Sequence, residues 1–360
     1  MRHPGINMSN VIRVKAEELK DFCKRALVAA GMREKDAEIV ADALIWANLR
    51  GVDSHGVVRL YSYIERMRRG LIDPKANPTM VRDFGAISLI DGNNGMGHVI
   101  AVHAVNIAVK KAKEYGVGVV GVRNANHIGM AAYYGIMIAN NKMIGIVFSN
   151  APPAMPPWGG KTPRLGTNPV CMAFPYKDGK HIVLDMALTV VARGKIRLAA
   201  LKGEKIPEGW ALDEEGKPTT DPVKALKGTL LPIGGHKGYG LAVAVDILSG
   251  VLTGSGYSIY LKALDDFSGV SKTGFYVQAI NIEAFRTYEE YIRDLENFVK
   301  IIKETPKAPG VQEIYLPGEI EYNVAKERLE QGVPLDTETV ENLKKVVEIL
   351  GLEKPGFLGI

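Results

Sequence analysis

Residues 116–121 read Gly116-Val117-Gly118-Val119-Val120-Gly121, a literal G-x-G-x-x-G. How this run is read decides the fold. In a dinucleotide fingerprint the glycines follow a strand and open a helix, with an acidic residue about 20 positions on. Here the order is reversed. A helical pattern over 99–113, with Ile100, Ala104, Ile107 and Ala108 on one side and lysines near its end, runs into Gly116, and residues 117–123 are themselves the strand. Arg123-Asn124-Ala125-Asn126 then reads as loop, and Asn140 and Asn141 stand where the acid would be. The glycines therefore read as a helix C-cap and as a strand approached closely by a neighbour, not as a phosphate loop.

Working outward, strands are expected at 86–92, 143–148, 170–174, 181–184 and 275–282, and helices at 131–140, 191–201, 240–251 (buried) and 289–303. Residues 203–222, rich in Gly and Pro, read as one long loop. Alternating strands and helices make residues 76–309 an α/β domain. Before it, helical stripes run over 16–30 and 34–50, closed by Gly31 and Gly51. Asp73-Pro74 and Asn77-Pro78 put a boundary near 70–78, and the helical tail over 320–350 is expected to pack on the N-terminal helices. The domains expected are 1–75 with 310–360, helical, and 76–309, α/β.

The chain has 360 residues, 46% hydrophobic and 24% charged, with net charge +5. This is an ordinary globular composition with ample core for two domains. The charge is not blocked into basic runs, so nucleic acid is not indicated. Apolar stretches break well short of the about 18 residues of a membrane span, and no signal peptide is read, so a cytoplasmic protein is expected. Cys23 and Cys171 read as buried thiols, and no metal-ligand spacing occurs.

Several runs carry chemistry. In Arg50-Gly51-Val52-Asp53-Ser54-His55-Gly56-Val57-Val58-Arg59, a helix starting near Ser54 would put His55 and Arg59 at i and i+4 on one face. Arginine grips a carboxylate through two parallel bonds, and histidine titrates near neutrality. Asp53 or Ser54 serves equally well as a plain N-cap there. After the Gly118 strand comes Asn124-Ala125-Asn126-His127-Ile128-Gly129, in which His127 is a second candidate acid or base. Two further strands end in Ser149-Asn150 and in Asp185, and an aspartate there can orient a histidine or accept from a ribose or amide. Arg193-Gly194-Lys195, near a helix start, and Gly234-Gly235-His236-Lys237-Gly238-Tyr239-Gly240, leading into a helix from Leu241 onward, read as phosphate-binding loops. A nucleotide-binding protein without redox chemistry would use the same loops. A helical scaffold would not explain polar residues at three strand ends.

Together these motifs, with Leu165-Gly166-Thr167-Asn168-Pro169 and Pro317-Gly318-Glu319, resemble the malate/L-sulfolactate dehydrogenase-type oxidoreductases, a family unrelated to the Rossmann malate and lactate dehydrogenases. The resemblance covers nearly the whole chain and implies that the α/β domain is of non-Rossmann type. It implies hydride transfer between NAD or NADP and a 2-oxo/2-hydroxy acid pair, oxaloacetate/(S)-malate first. Sulfolactate, lactate, ureidoglycolate, 2,3-diketogulonate and cyclic-imine substrates stand as alternatives. It also implies a homodimer. His55 or His127 matches the proton carrier, and Ser54, Arg59 and Asp185 match supporting catalytic positions. Ser149, Asp185, Met186, Ala187, Lys237, Pro317, Gly318 and Glu319 match cofactor-contacting ones. Arg193, Lys195 and Gly235 join these through the loop reading.

Overall fold

The computed structural model describes residues 11–359. The chain begins with β1 (Ile12–Val14), α1 (Ala16–Ala29), α2 (Glu34–Leu49) and α3 (Leu60–Arg68). Leu19, Phe22, Cys23, Ala26 and Leu27 form the buried stripe of α1, at the helical spacing the sequence shows. There follow β2 (Thr79–Phe84), β3 (Ile87–Asp91), α4 (Gly97–Tyr115), β4 (Val117–Ala125), α5 (Ala131–Ala139), β5 (Met143–Ser149), β6 (Val170–Phe174) and β7 (Ile182–Met186). Next come α6 (Arg193–Lys202), β8 (Ala211–Leu212), α7 (Pro222–Lys227), β9 (Thr229–Leu230), α8 (His236–Asp246), β10 (Thr273–Asn281) and α9 (Tyr288–Lys303). Then α10 (Glu319–Gln331), β11 (Val333–Leu335) and α11 (Thr337–Leu350) end the main elements.

Seven strands form one sheet in the order β2-β3-β4-β10-β5-β6-β7. Only β3 and β4 pair in parallel, across α4, and the other neighbours are antiparallel. Because β4 and β5 both run against β10, and β7 and β5 both run against β6, the C-terminal ends of β4, β5 and β7 share one edge of the sheet. One face packs α4 and α5 through Ile100, Ala104, Val120, Val122, Tyr134, Ile138 and Val147. Along the strands, alternate residues such as Phe148, Val170 and Met186 face α8 on the other side. A separate core joins Phe22, Leu44, Tyr63 and Ile72 to Val333, Leu343, Val346 and Phe357 near the C-terminus, and β1 pairs with β11. Among the described residues no helix is long and apolar enough to cross a membrane.

The deciding glycines behave as the reversed order requires. Gly116 caps α4 in the left-handed conformation, φ +81°. A Cβ on Gly118 would lie 2.0 Å from the Ala108 carbonyl oxygen, so α4 packs directly on the β4 backbone.

Two expectations are corrected and one strand was missed. Residues 203–222 are not one loop, since β8 lies within them and pairs with β9. The strand β2 is absent from the sequence reading, because every residue of Thr79–Phe84 is exposed on an edge and shows no alternation. The helix expected over 240–251 starts at His236 and ends in a π-turn over Ile247–Val251. It is buried on one side only, with Leu241, Ile247 and Val251 about half exposed.

Candidate functional site

The Ser54-His55 run is built by local constraints. Gly51, at φ +79°, turns the chain out of α2. The buried amide of Asn48 accepts from the Val57 N–H at 2.8 Å and donates to Asp53 at 2.7 Å. Gly56 is needed beside it, because a Cβ there would sit 2.1 Å from the Asn48 oxygen. Asp53 is not an N-cap. Arg328 of α10 forks onto its carboxylate at 2.6 and 3.0 Å. Asn48 and Arg328 thus fix the turn from both sides. The chain then forms two short 3-10 turns, Asp53–His55 and Val57–Arg59, before α3 begins. The condition of a helix starting near Ser54 is therefore not met, and Arg59 comes near His55 through a turn: its Nε donates to the Ser54 carbonyl at 2.7 Å. Its two terminal nitrogens make no hydrogen bond among the described residues.

His127 follows β4 in a loop tied down by Asn126, whose buried amide donates to the carbonyls of Asn94 and Gly95. The first turn of α4 presses on this loop. A Cβ on Gly97 would meet the Asn126 and His127 carbonyl oxygens at 2.2 and 2.3 Å. The result sets His55 and His127 side by side, ring centroids 5.6 Å apart and 22° from parallel. Tyr63 of α3 places its hydroxyl 2.7 Å from His127 Nδ1, and the Gly129 N–H points at the same atom at 3.3 Å. Ser54 Oγ lies 3.0 Å from His55 Nδ1. His98 of α4 is fully buried, edge-on to Tyr63 at 5.3 Å, with neither ring nitrogen hydrogen-bonded.

Burial governs the charge state. It lowers His55 to about 4, with Arg59 adding, and His98 to about 3, with His55 adding. Burial, then His55, Arg59 and His98, push His127 well below the usual histidine value. The Tyr63 phenol is pushed up by burial. The site is a set of neutral imidazoles beside one permanent cation. Tyr63 and His98 are absent from the sequence reading. Tyr63 lies four residues after Arg59, and that spacing was the one available signal.

Asp185 does not orient either histidine. Four strand spacings, about 19 Å, separate β7 from β4. Its carboxylate accepts from the Ala132 N–H at 2.8 Å, capping the start of α5, and burial raises it to about 6. Met186 packs against the α8 side of the sheet, Ala187 is half-buried, and the buried Ser149 hydroxyl donates to the Asn150 carbonyl. Pro317 lies along the free edge of β7, where its carbonyl accepts from the Val183 N–H at 2.9 Å. Gly318, at φ +86°, starts α10, and Glu319 pairs with Lys303.

The two glycine-lysine runs come together. Val190 donates to the Leu231 carbonyl and Ile233 to that of Leu188, both at 2.9 Å, so the segments leading into α6 and α8 lie alongside each other. Arg193 and Lys195 occupy the first turn of α6, and Lys237 the first turn of α8 with Gly235 as its N-cap. The α8 helix starts inside the glycine run, not after it as expected. A Cβ on Gly238 would strike the Ile233 carbonyl oxygen at 1.9 Å, whereas Gly194 and Gly234 face open space. First-turn N–H groups lack intrahelical partners, so two helix N-termini, three exposed cations and bare glycine backbone make a fitting seat for the phosphates of a dinucleotide.

The half-free Arg59 beside paired imidazoles, and the glycines and cations at the starts of α6 and α8, fit an NAD(P)-dependent 2-hydroxy acid dehydrogenase. Residues 14–344 match the malate/L-lactate dehydrogenase family, and the chain belongs to it. It is 43% identical to L-sulfolactate dehydrogenase of Methanocaldococcus jannaschii over 96% of this chain and 99% of that one. It is 40% identical to malate dehydrogenase of Pyrococcus horikoshii over 98% and 99%. The solved structure of the M. jannaschii sulfolactate dehydrogenase superposes with a TM-score of 0.90 at 42% identity, covering 95% and 98% of the two chains. The chemistry of the class implies a nicotinamide cofactor and a small hydroxy/oxo acid substrate.

Proposed function

We propose that the protein interconverts oxaloacetate and (S)-malate, with Arg59 and His127 as its principal catalytic residues. The observation that carries this is the pairing of a half-free guanidinium with two stacked imidazoles. Arg59 binds the substrate carboxylate through its terminal nitrogens and so fixes the C2 carbonyl. His127 donates the proton to the carbonyl oxygen, and His55 and Ser54 line the pocket beside it. A bound dihydronicotinamide supplies the hydride. Gly235 and Lys237 on α8 and Arg193 and Lys195 on α6 hold its phosphates. Ser149, Asp185, Met186, Ala187, Pro317, Gly318 and Glu319 line the rest of its path along β7. The cofactor is NAD or NADP.

Residues 1–75 with 310–360 are taken as the helical domain and 76–309 as the cofactor domain; positions 1–10 and 360 lie outside the described residues. The apolar stripe Leu241, Ile247, Val251 and Leu252, 49–64% exposed, supports a homodimer formed through α8. The name of the M. jannaschii relative favours sulfopyruvate as the second substrate to try. Dihydronicotinamide oxidation with oxaloacetate, sulfopyruvate, pyruvate and a cyclic imine is the test. The largest kcat/KM falls on oxaloacetate, and a larger one on any other compound replaces the assignment.

A further inference from the structure

A backbone N–H can only donate. The Gly129 N–H aimed at His127 Nδ1 therefore makes Nδ1 an acceptor, and the Tyr63 hydroxyl, 2.7 Å away, is then the second donor to it. The single proton of a neutral His127 ring must sit on Nε2, the nitrogen that has no hydrogen-bond partner among the described residues. The groups facing the ring are His55 and Arg59 from the two short turns, Tyr63 from α3 and His98 from α4. None is a carboxylate, so nothing in the pocket stabilises an imidazolium, and burial disfavours it.

We propose that Tyr63 is a positioning residue that holds His127 in its Nε2–H tautomer and refills it as it works. The inference rests on His127 as the proton donor. In reduction the hydride reaches C2 and the carbonyl π pair takes the proton from His127 Nε2. The Tyr63 proton passes to Nδ1 in the same event, so the imidazole stays neutral throughout. Burial pushes the Tyr63 phenol up and Arg59 offsets this only in part, so the charge left on the Tyr63 oxygen is transient. Once product leaves, solvent protonates His127 Nε2 and the Nδ1 proton passes back to Tyr63. Tyr63 is fully buried, and its hydroxyl has one place to go. The reverse sequence, with each proton moving back, serves oxidation.

An ordinary imidazolium donor makes reduction slow down as pH rises above its pKa. The Tyr63 route does not. We expect kcat for reduction by the intact enzyme to be level between about pH 6 and 8. In Tyr63→Phe, which removes the hydroxyl alone, only imidazolium can donate. Its kcat at neutral pH falls at least about tenfold, with KM for the oxo acid within about threefold, and then rises about tenfold per unit of acidification. Nitrogen-15 NMR of His127 in the wild-type protein, which needs no variant, shows a protonated Nε2 and an accepting Nδ1. A wild-type kcat that falls steadily with pH, an NMR spectrum with the proton on Nδ1, or a folded Tyr63→Phe enzyme with unchanged rate and profile each overturns the proposal. His127→Gln separates the two readings. Full turnover in that variant removes His127 as donor and the relay with it, while the NMR result stands as a statement about the tautomer alone.

Discussion

The rings of His55 and His127 lie 5.6 Å apart, nearly parallel, beside the Arg59 guanidinium. Three positive charges so close together repel one another, and burial together with the Arg59 charge keeps both imidazoles neutral. Arg59→Gln removes the fixed charge that depresses both rings. Proton NMR titration is expected to show both imidazole pKa values rising in that variant, with burial keeping them below the ordinary histidine value.

The same substitution tests substrate binding. Losing a bidentate carboxylate partner raises KM for the oxo acid by about 10–100-fold, and Arg59→Lys recovers only part of it, because an ammonium cannot match the fork. Cofactor binding, followed by dihydronicotinamide fluorescence, stays within about twofold.

Acid weakens the fold in a stated window. His55 titrates at about 4, His98 at about 3 and His127 below its ordinary value, so an unfolded chain holds more protons on all three from about pH 6.5 down to about 4. Stability contributed by these rings is present above about 6.5 and is lost as pH falls. Asp185, raised to about 6, acts in the opposite sense between about 3.8 and 6, since there the folded state holds the extra proton. Three imidazoles outweigh one carboxyl. Urea midpoints measured from pH 8 to 4.5 are expected to fall on acidification, and His98→Phe is expected to flatten the fall.

Gly97 is a packing requirement for the catalytic loop. Its missing Cβ leaves room for the Asn126 and His127 carbonyls. Gly97→Ala is expected to cost about 1–3 kcal/mol in chemical unfolding and to lower turnover by shifting His127, even at temperatures where the protein remains folded.

The apolar stripe on α8 and its π-turn gives a prediction about assembly. Val251→Asp with Leu252→Asp places two charges on it. Sedimentation is expected to show a dimer for the wild-type protein and a monomer for the double variant, with the circular dichroism of the two superposing.

How much of this was legible in the sequence differs between elements for physical reasons. Gly116–Gly121 could be read because local order decides it: a helix before and a strand within exclude a phosphate loop, and Gly116 and Gly118 act as cap and close-packed strand. The strand ends at His127, Ser149 and Asp185 were legible as polar residues closing apolar runs. The start of α8 was not, because Gly234, Gly235, Gly238 and Gly240 depress helix propensity where packing on Ile233 overrides it. His98 carries no local mark and Tyr63 only its spacing from Arg59, and their meaning comes from α3 and α4 meeting the His127 loop. The separation of Asp185 from the histidines was set by strand order, with β10 inserted between β4 and β5 from about 130 residues further along.

The central claim is that His127 delivers the proton while Arg59 holds the acid. It is tested most directly by a single turnover of His127→Gln with dihydronicotinamide already bound and oxaloacetate added, followed by absorbance in a stopped-flow instrument. The rate is expected to fall by about 10²–10⁴-fold with cofactor affinity unchanged. A rate within about twofold of the wild-type enzyme contradicts the account.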